Sequence, residues 1–125
     1  MLIAGGLGQA ALASAELFDP LADGGRGAFQ PTGGLAVARQ RAGIARLANG
    51  ALLVVGGADS DGGALASAEL FELQADDGIG AFAPAAGLSI GRELPLCARL
   101  PGGGVLIAGG RNNGVLGSAE IWKPE

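Results

Sequence analysis

The chain has 125 residues, among them 25 glycines and 6 prolines, with 49% apolar and only 16% charged residues. Its net charge of −4, with no Lys/Arg-rich run anywhere, argues against a phosphate-binding surface and so against a nucleic-acid partner. One cysteine, Cys97, excludes an intrachain disulfide framework and leaves the redox compartment open, and no apolar run is long enough to span a membrane as a helix.

The glycines fall between apolar runs rather than in tracts, which predicts many short strands joined by turns. Met1 to Glu16 is apolar and ends in Ala-Ser-Ala, like a signal-peptide cleavage site, but it has no positively charged start. Internal comparison gives a different origin for it. The pairs Gly5-Gly6, Gly56-Gly57 and Gly109-Gly110 recur 51 and 53 positions apart, each followed by a Ser-Ala-Glu that ends at Glu16, Glu69 or Glu120. The first sixteen residues are therefore one copy of a repeat. Between these segments Phe29, Pro31, Leu35, Arg39 and Arg46 match Phe82, Pro84, Leu88, Arg92 and Arg99 at a constant offset of 53. Practically the whole chain is periodic.

Taken in chain order, the middle period predicts four strands. The first runs through Ile44–Leu47 and is closed by Asn49-Gly50, whose tolerance of positive φ marks a hairpin. The second, Leu52–Val55, is apolar at every position, as in a strand buried on both faces. The third, Ala66–Glu72, places Ala68 and Leu70 on one face and Glu69 and Phe71 on the other. The fourth is a short edge strand around Ile79–Phe82, ended by Pro84. Four antiparallel strands per period of about fifty residues is the pattern of a propeller blade.

Several residues invite a site. The glycine pairs lack the helix start, or the Lys and Ser/Thr, that a phosphate cradle needs, and are read as backbone turns. Asp59-Ser60-Asp61-Gly62 is half of a calcium loop without its downstream ligands, and is read as a solvated turn. Glu16, Glu69 and Glu120 could form a ring of carboxylates for a metal. The stronger reading pairs them with Arg39 and Arg92, or with Arg46 and Arg99, which share the period. The competing role for Arg39 and Arg92 is a binding face for an acidic partner. Cys97 aligns with Ile44 and reads as a buried small hydrophobe, and the aromatics read as packing between blades.

The glycine pair closing the second strand, the Ser-Ala-Glu-Leu-Phe that follows and the aromatic before proline together resemble the kelch motif. The closer likeness is to bacterial kelch-like repeats related to the propeller domain of galactose oxidase. Phe18, Phe71 and Trp122 stand at its first aromatic position, Phe29 and Phe82 at its second, and Arg39 and Arg92 where it often carries an arginine. Ala42 and Pro95 replace its usual histidine, Arg46 and Arg99 intrude on its innermost strand, and Pro95 is expected to disturb or shorten that strand.

The resemblance implies an all-β partial β-propeller of about two and a half four-stranded antiparallel kelch-like blades: a partial blade over 1–34, a complete one over 35–87 and a partial one over 88–125. The first would lack its innermost strand and the last its outermost. Such a chain is expected to be an excerpt of a longer propeller, either self-associating or flanked by adjoining blades. With no histidine and no tyrosine, it cannot supply a galactose-oxidase-type copper site or a histidine-based nucleophilic triad. The expectation is a non-enzymatic binding or scaffold module without a cofactor, recognising a protein or glycan through rim loops. The alternative is a piece of a carbohydrate-active extracellular protein whose catalytic residues lie elsewhere.

Overall fold

The structure is a computed structural model that describes residues 1–124. Ten strands form three antiparallel sheets. The first sheet contains β1 (Leu2–Ala4), β2 (Ala15–Asp19) and β3 (Ala28–Pro31) in the order β1-β2-β3. The second contains β4 (Gly43–Arg46), β5 (Leu52–Val55), β6 (Ala68–Glu72) and β7 (Ala81–Ala85) in chain order. The third contains β8 (Leu96–Arg99), β9 (Val105–Ala108) and β10 (Ala119–Trp122), ordered β10-β9-β8. Among the described residues, helical turns occur in the β2–β3 and β6–β7 connections, at Ala22–Gly25 and Asp76–Gly78.

Every sheet is a meander, so neighbours in sequence are neighbours in space. In the second sheet the register pairs Val55 with Ala68 and Leu53 with Leu70 on one face, and Val54 with Glu69 and Leu52 with Phe71 on the other. The first face packs against the third sheet. There Leu53, Val55, Ala68, Val105, Ile107 and Trp122 are buried in one cluster, with β4 against β8. The central strand is apolar throughout because the sheet is covered on both sides.

Two local expectations change. Strand β7 runs through Pro84 instead of ending at it, with Pro84 opposite Glu69. Because β7 is an edge strand, the missing N–H falls on the side without a ladder partner. Pro95 does not shorten β8, which pairs four residues with β9 just as β4 does with β5. It sits immediately before the strand, where its restricted φ suits an extended entry.

Phe71 and Phe82, like Phe18 and Phe29, are directly opposed cross-strand pairs within a sheet, with ring centroids 5.0 Å apart. Phe71 is buried and also borders Leu2 and Leu17 of the first sheet, and Trp122 reaches from the third sheet to the second. The tryptophan lies in the core between the second and third sheets, and its indole N–H donates to the Ala86 carbonyl at 2.8 Å.

Candidate functional site

The residues singled out by their periodicity converge on the joints between successive sheets. Each joint is built around a linker: residues 35–41 between the first and second sheets, and 88–94 between the second and third. From Leu35 to Arg39 the backbone of the first linker is bonded to the first sheet, and at Gln40 it crosses to Ala58 of the second. Leu35 N–H donates to Ala13 O, Arg39 N–H to Leu12 O, and Gly6 N–H to Arg39 O. The Arg39 side chain points the other way, into the second sheet. Its Nη1 donates to the carbonyls of Gly56 at 2.8 Å and Ser67 at 3.0 Å, and its Nη2 to Ser67 Oγ at 3.1 Å and Glu69 Oε2 at 3.0 Å. Glu69 returns the contact by accepting the backbone N–H groups of Ala36 and Val37. Arg39 and Glu69 are 1% and 4% exposed, so the pair is desolvated and depends on this set of bonds.

The second linker repeats the arrangement. Leu88 and Arg92 N–H groups donate to Ala66 and Leu65 of the second sheet, and Gly57 N–H donates to Arg92 O. Arg92 Nη1 donates to Gly109 O and Ser118 O, both at 2.9 Å, and Nη2 to Ser118 Oγ at 2.7 Å, with Glu120 Oε2 3.5 Å away. Ser89 N–H donates to Glu120 Oε1 at 2.8 Å. Only an arginine fits this role, because a planar fork of donors is needed to reach two carbonyls, a hydroxyl and a carboxylate together. In both joints the guanidinium Nε is buried without a hydrogen-bond partner among the described residues.

The glycine pairs complete the joint by letting two linkers approach one loop. A Cβ on Gly5 would stand 2.5 Å from Arg39 O, and one on Gly56 would collide with Arg92 O, so the first glycine faces the carbonyl of the linker that follows. A Cβ on Gly57 or Gly110 would lie 2.5 Å from Gln40 O or Glu93 O, so the second faces the linker that precedes. All of these glycines have positive φ.

The remaining candidates lie elsewhere. Arg46 and Arg99 are exposed on β4 and β8 and form no ion pair among the described residues. Glu16 is exposed and likewise unpaired, so it is not brought together with any of the four arginines. Asp59 turns its carboxylate onto its own loop, accepting N–H groups from Asp61 at 2.9 Å and Gly63 at 2.8 Å. Cys97 is half-buried, and burial pushes its thiol up, away from the reactive thiolate. Among the described residues, no group of three or more His, Cys, Asp or Glu is placed to hold a metal ion.

Sequence reasoning missed two parts of the joint. The Ser67 and Ser118 hydroxyls were visible as the serine of each Ser-Ala-Glu. The link between linkers, Arg41 to Glu93 at 3.2 Å with Leu94 N–H on Arg41 O, carries no periodic signal.

Burial alone would raise the Glu120 carboxyl. The N–H and hydroxyl of Ser89, the N–H of Ile90 and the Arg92 charge outweigh it, and hold the group below its ordinary value of 4.5. A carboxylate depressed in the folded state contributes stability above its unfolded value and loses it as pH falls through the folded one. Glu120→Gln is therefore expected to flatten the loss of stability on acidification below about pH 4.5, read as denaturant midpoints over a pH series. An unchanged acid limb would contradict the joint described for Glu120.

No family model matches the chain, and no curated protein matches it. Among solved structures it is similar to a novel fungal alcohol oxidase with catalytic diversity among the AA5 family, in complex with copper. The identity is 18% and the TM-score 0.78. The likeness covers 98% of this chain but 28% of that one, so this chain spans little more than a quarter of the oxidase's length. At this identity the likeness shows a shared antiparallel β-sheet fold.

Proposed function

We propose that the chain is a run of kelch-like blades from a larger β-propeller, acting as a non-catalytic binding or scaffold module that recognises a protein or glycan through rim loops. The observation that carries this reading is the joint made twice on one plan, with the same carbonyl and serine contacts and a closer arginine–glutamate pair in the first copy than in the second. Each sheet is added to the last through an arginine, a Ser-Ala-Glu and a glycine pair, as in an array of like units. Arg39 and Arg92 are consumed by those joints, which leaves Arg46 and Arg99 as the repeated cations open to a partner. Arg46 borders a cleft of about 400 Å³ together with Asn49, Glu72 and Gln74. Such a mixture of charge and amide suits hydroxyl-rich or peptide ligands.

The test is a glycan and peptide array probed with the chain and with its Arg46→Ser/Arg99→Ser variant. Both side chains are exposed, so the variant is expected to melt like the parent and to lose its array signals. Signals that persist in the variant would sink this assignment of the recognition surface.

A second reading is favoured by the likeness to the AA5 oxidase. The chain would then be a structural part of a galactose-oxidase-like or other carbohydrate-active protein. This chain has no histidine or tyrosine, so its residues do not fit a copper site of imidazole and phenolate ligands. The chemistry would lie in other parts of such a protein, and histidine and tyrosine ligands encoded beside this segment would favour that reading over the first.

A further inference from the structure

The two linkers define what a sheet of this kind offers to the segment that precedes it. The second and third sheets use four features. The second glycine of the pair leaves room for a linker carbonyl, and the next residue exchanges two backbone hydrogen bonds with the linker, Ala58 with Gln40 and Arg111 with Glu93. The Ser-Ala-Glu and the first glycine's carbonyl hold the arginine, and the strand that continues the linker, β4 or β8, pairs with the strand that leads into the glycine pair, β5 or β9.

The first sheet has the same features, and they are open. Nothing lies within 4 Å of a Cβ placed on Gly6. Leu7 keeps the hairpin bridge to Ala11 that corresponds to Ala58–Ala64 and Arg111–Val115, but has no linker opposite it. Ser14 and Glu16 are exposed where Ser67 and Glu69 are covered. Strand β1 pairs only with β2 among the described residues, and Ile3 is 45% exposed where its counterpart Val54 is 2% exposed. Beside that free edge lies a groove of about 380 Å³ lined by Leu2, Leu17, Ile44, Leu52 and Phe71.

We infer that this face of the first sheet is a docking site for one further arginine-bearing linker strand from an adjoining repeat, of the chemistry that residues 35–47 carry. Its arginine meets Glu16, Ser14 Oγ and the Gly5 carbonyl, and its next residue bridges Leu7. Its strand then pairs with β1, with small residues turned toward Ile44. The size requirement comes from the joint already made: Gly43 faces Cys97, and a Cβ there would run into the Cys97 sulfur. The inference stands on the repeated joint and does not depend on the sheets belonging to a closed ring or on the ligand proposed for the rim.

A labelled synthetic peptide with the sequence of residues 35–47 is titrated onto the whole chain and followed by fluorescence anisotropy. The same peptide with Arg39→Ala and the chain with Glu16→Gln complete a double-mutant cycle. Saturable binding is expected, weakened roughly tenfold or more by either change, since a charge-assisted contact is lost in each. Making both changes is expected to cost little more than making one. Glu16 is exposed, so the variant chain is expected to melt like the parent. Binding that ignores Glu16 would point to exchange with the chain's own linker or to the far sheet, and would overturn the assignment. So would the absence of binding at millimolar peptide, or a dimer in sedimentation that closes this face and refuses the peptide.

Discussion

Replacing Arg39 with alanine is expected to destabilise the chain by about 3–5 kcal/mol, the range for removing one partner of a buried ion pair. The change deletes every bond from the first linker to the Gly56 and Ser67 carbonyls, and leaves the Glu69 carboxylate buried with two N–H donors and no counter-charge. Against a total stability of about 5–15 kcal/mol for an ordinary domain, that loss moves much of the population out of the folded state. Lysine is not expected to rescue it, because one ammonium cannot reproduce the planar fork. Arg46→Ala supplies the contrast. Its side chain is exposed and unpaired among the described residues, so its effect is expected to stay within about 0.5 kcal/mol. Equal effects at the two arginines, measured by denaturant unfolding, would contradict the joint.

The second large effect is expected at the glycine pair, and the repeat supplies its own control. Gly57 and Gly6 occupy the same place in successive copies, with φ of 93° and 111°. Alanine at either position meets a backbone penalty of about 1–2 kcal/mol. At Gly57 the new Cβ also stands 2.5 Å from Gln40 O and 3.2 Å from the Ala42 backbone, where no flexible side chain can give way. Overpacking of this kind adds about 1–3 kcal/mol, so Gly57→Ala is expected to cost roughly 3 kcal/mol and Gly6→Ala only the smaller backbone part. If the two cost the same, the glycines serve only their own turns, and the linkers do not require them.

Much of this architecture was legible in the sequence because β structure reports through spacing. The apolar run Leu52–Val55, the Asn49-Gly50 turn and the alternation from Ala68 to Phe71 gave the antiparallel strands and their faces. The same spacing placed Arg39 and Glu69 in equivalent positions in each copy, but equivalence does not choose partners. Arg39 and Arg46 both recur with Glu69, and only the fold reveals that Arg39 crosses the joint while Arg46 faces outward. Periodicity also could not show that a linker divides its allegiance, with its backbone bound to one sheet as far as the arginine, and the arginine side chain and the next residue bound to the following sheet. The effect of Pro95 was misjudged for a related reason. A proline one residue ahead of a strand and one inside it look alike until the register with β9 is known.

The arrangement has a consequence for how such a chain can grow or fail. Successive sheets meet through an apolar core and through buried polar joints, and the two contribute differently. The core around Leu53, Val105 and Ile107 supplies burial without direction. The arginine joints fix the register in which a linker meets a sheet, because a shifted linker leaves a guanidinium or a carboxylate buried without its partner.

That claim is tested most directly by a double-mutant cycle between Arg39 and Glu69, read as unfolding free energy with an osmolyte present to keep the single variants folded. The joint described here predicts a coupling of more than about 1 kcal/mol between the two positions, with the double variant Arg39→Met/Glu69→Gln less destabilised than the single changes sum to. Additivity within about 0.5 kcal/mol would mean that the arginine and the glutamate lie side by side without holding the sheets together.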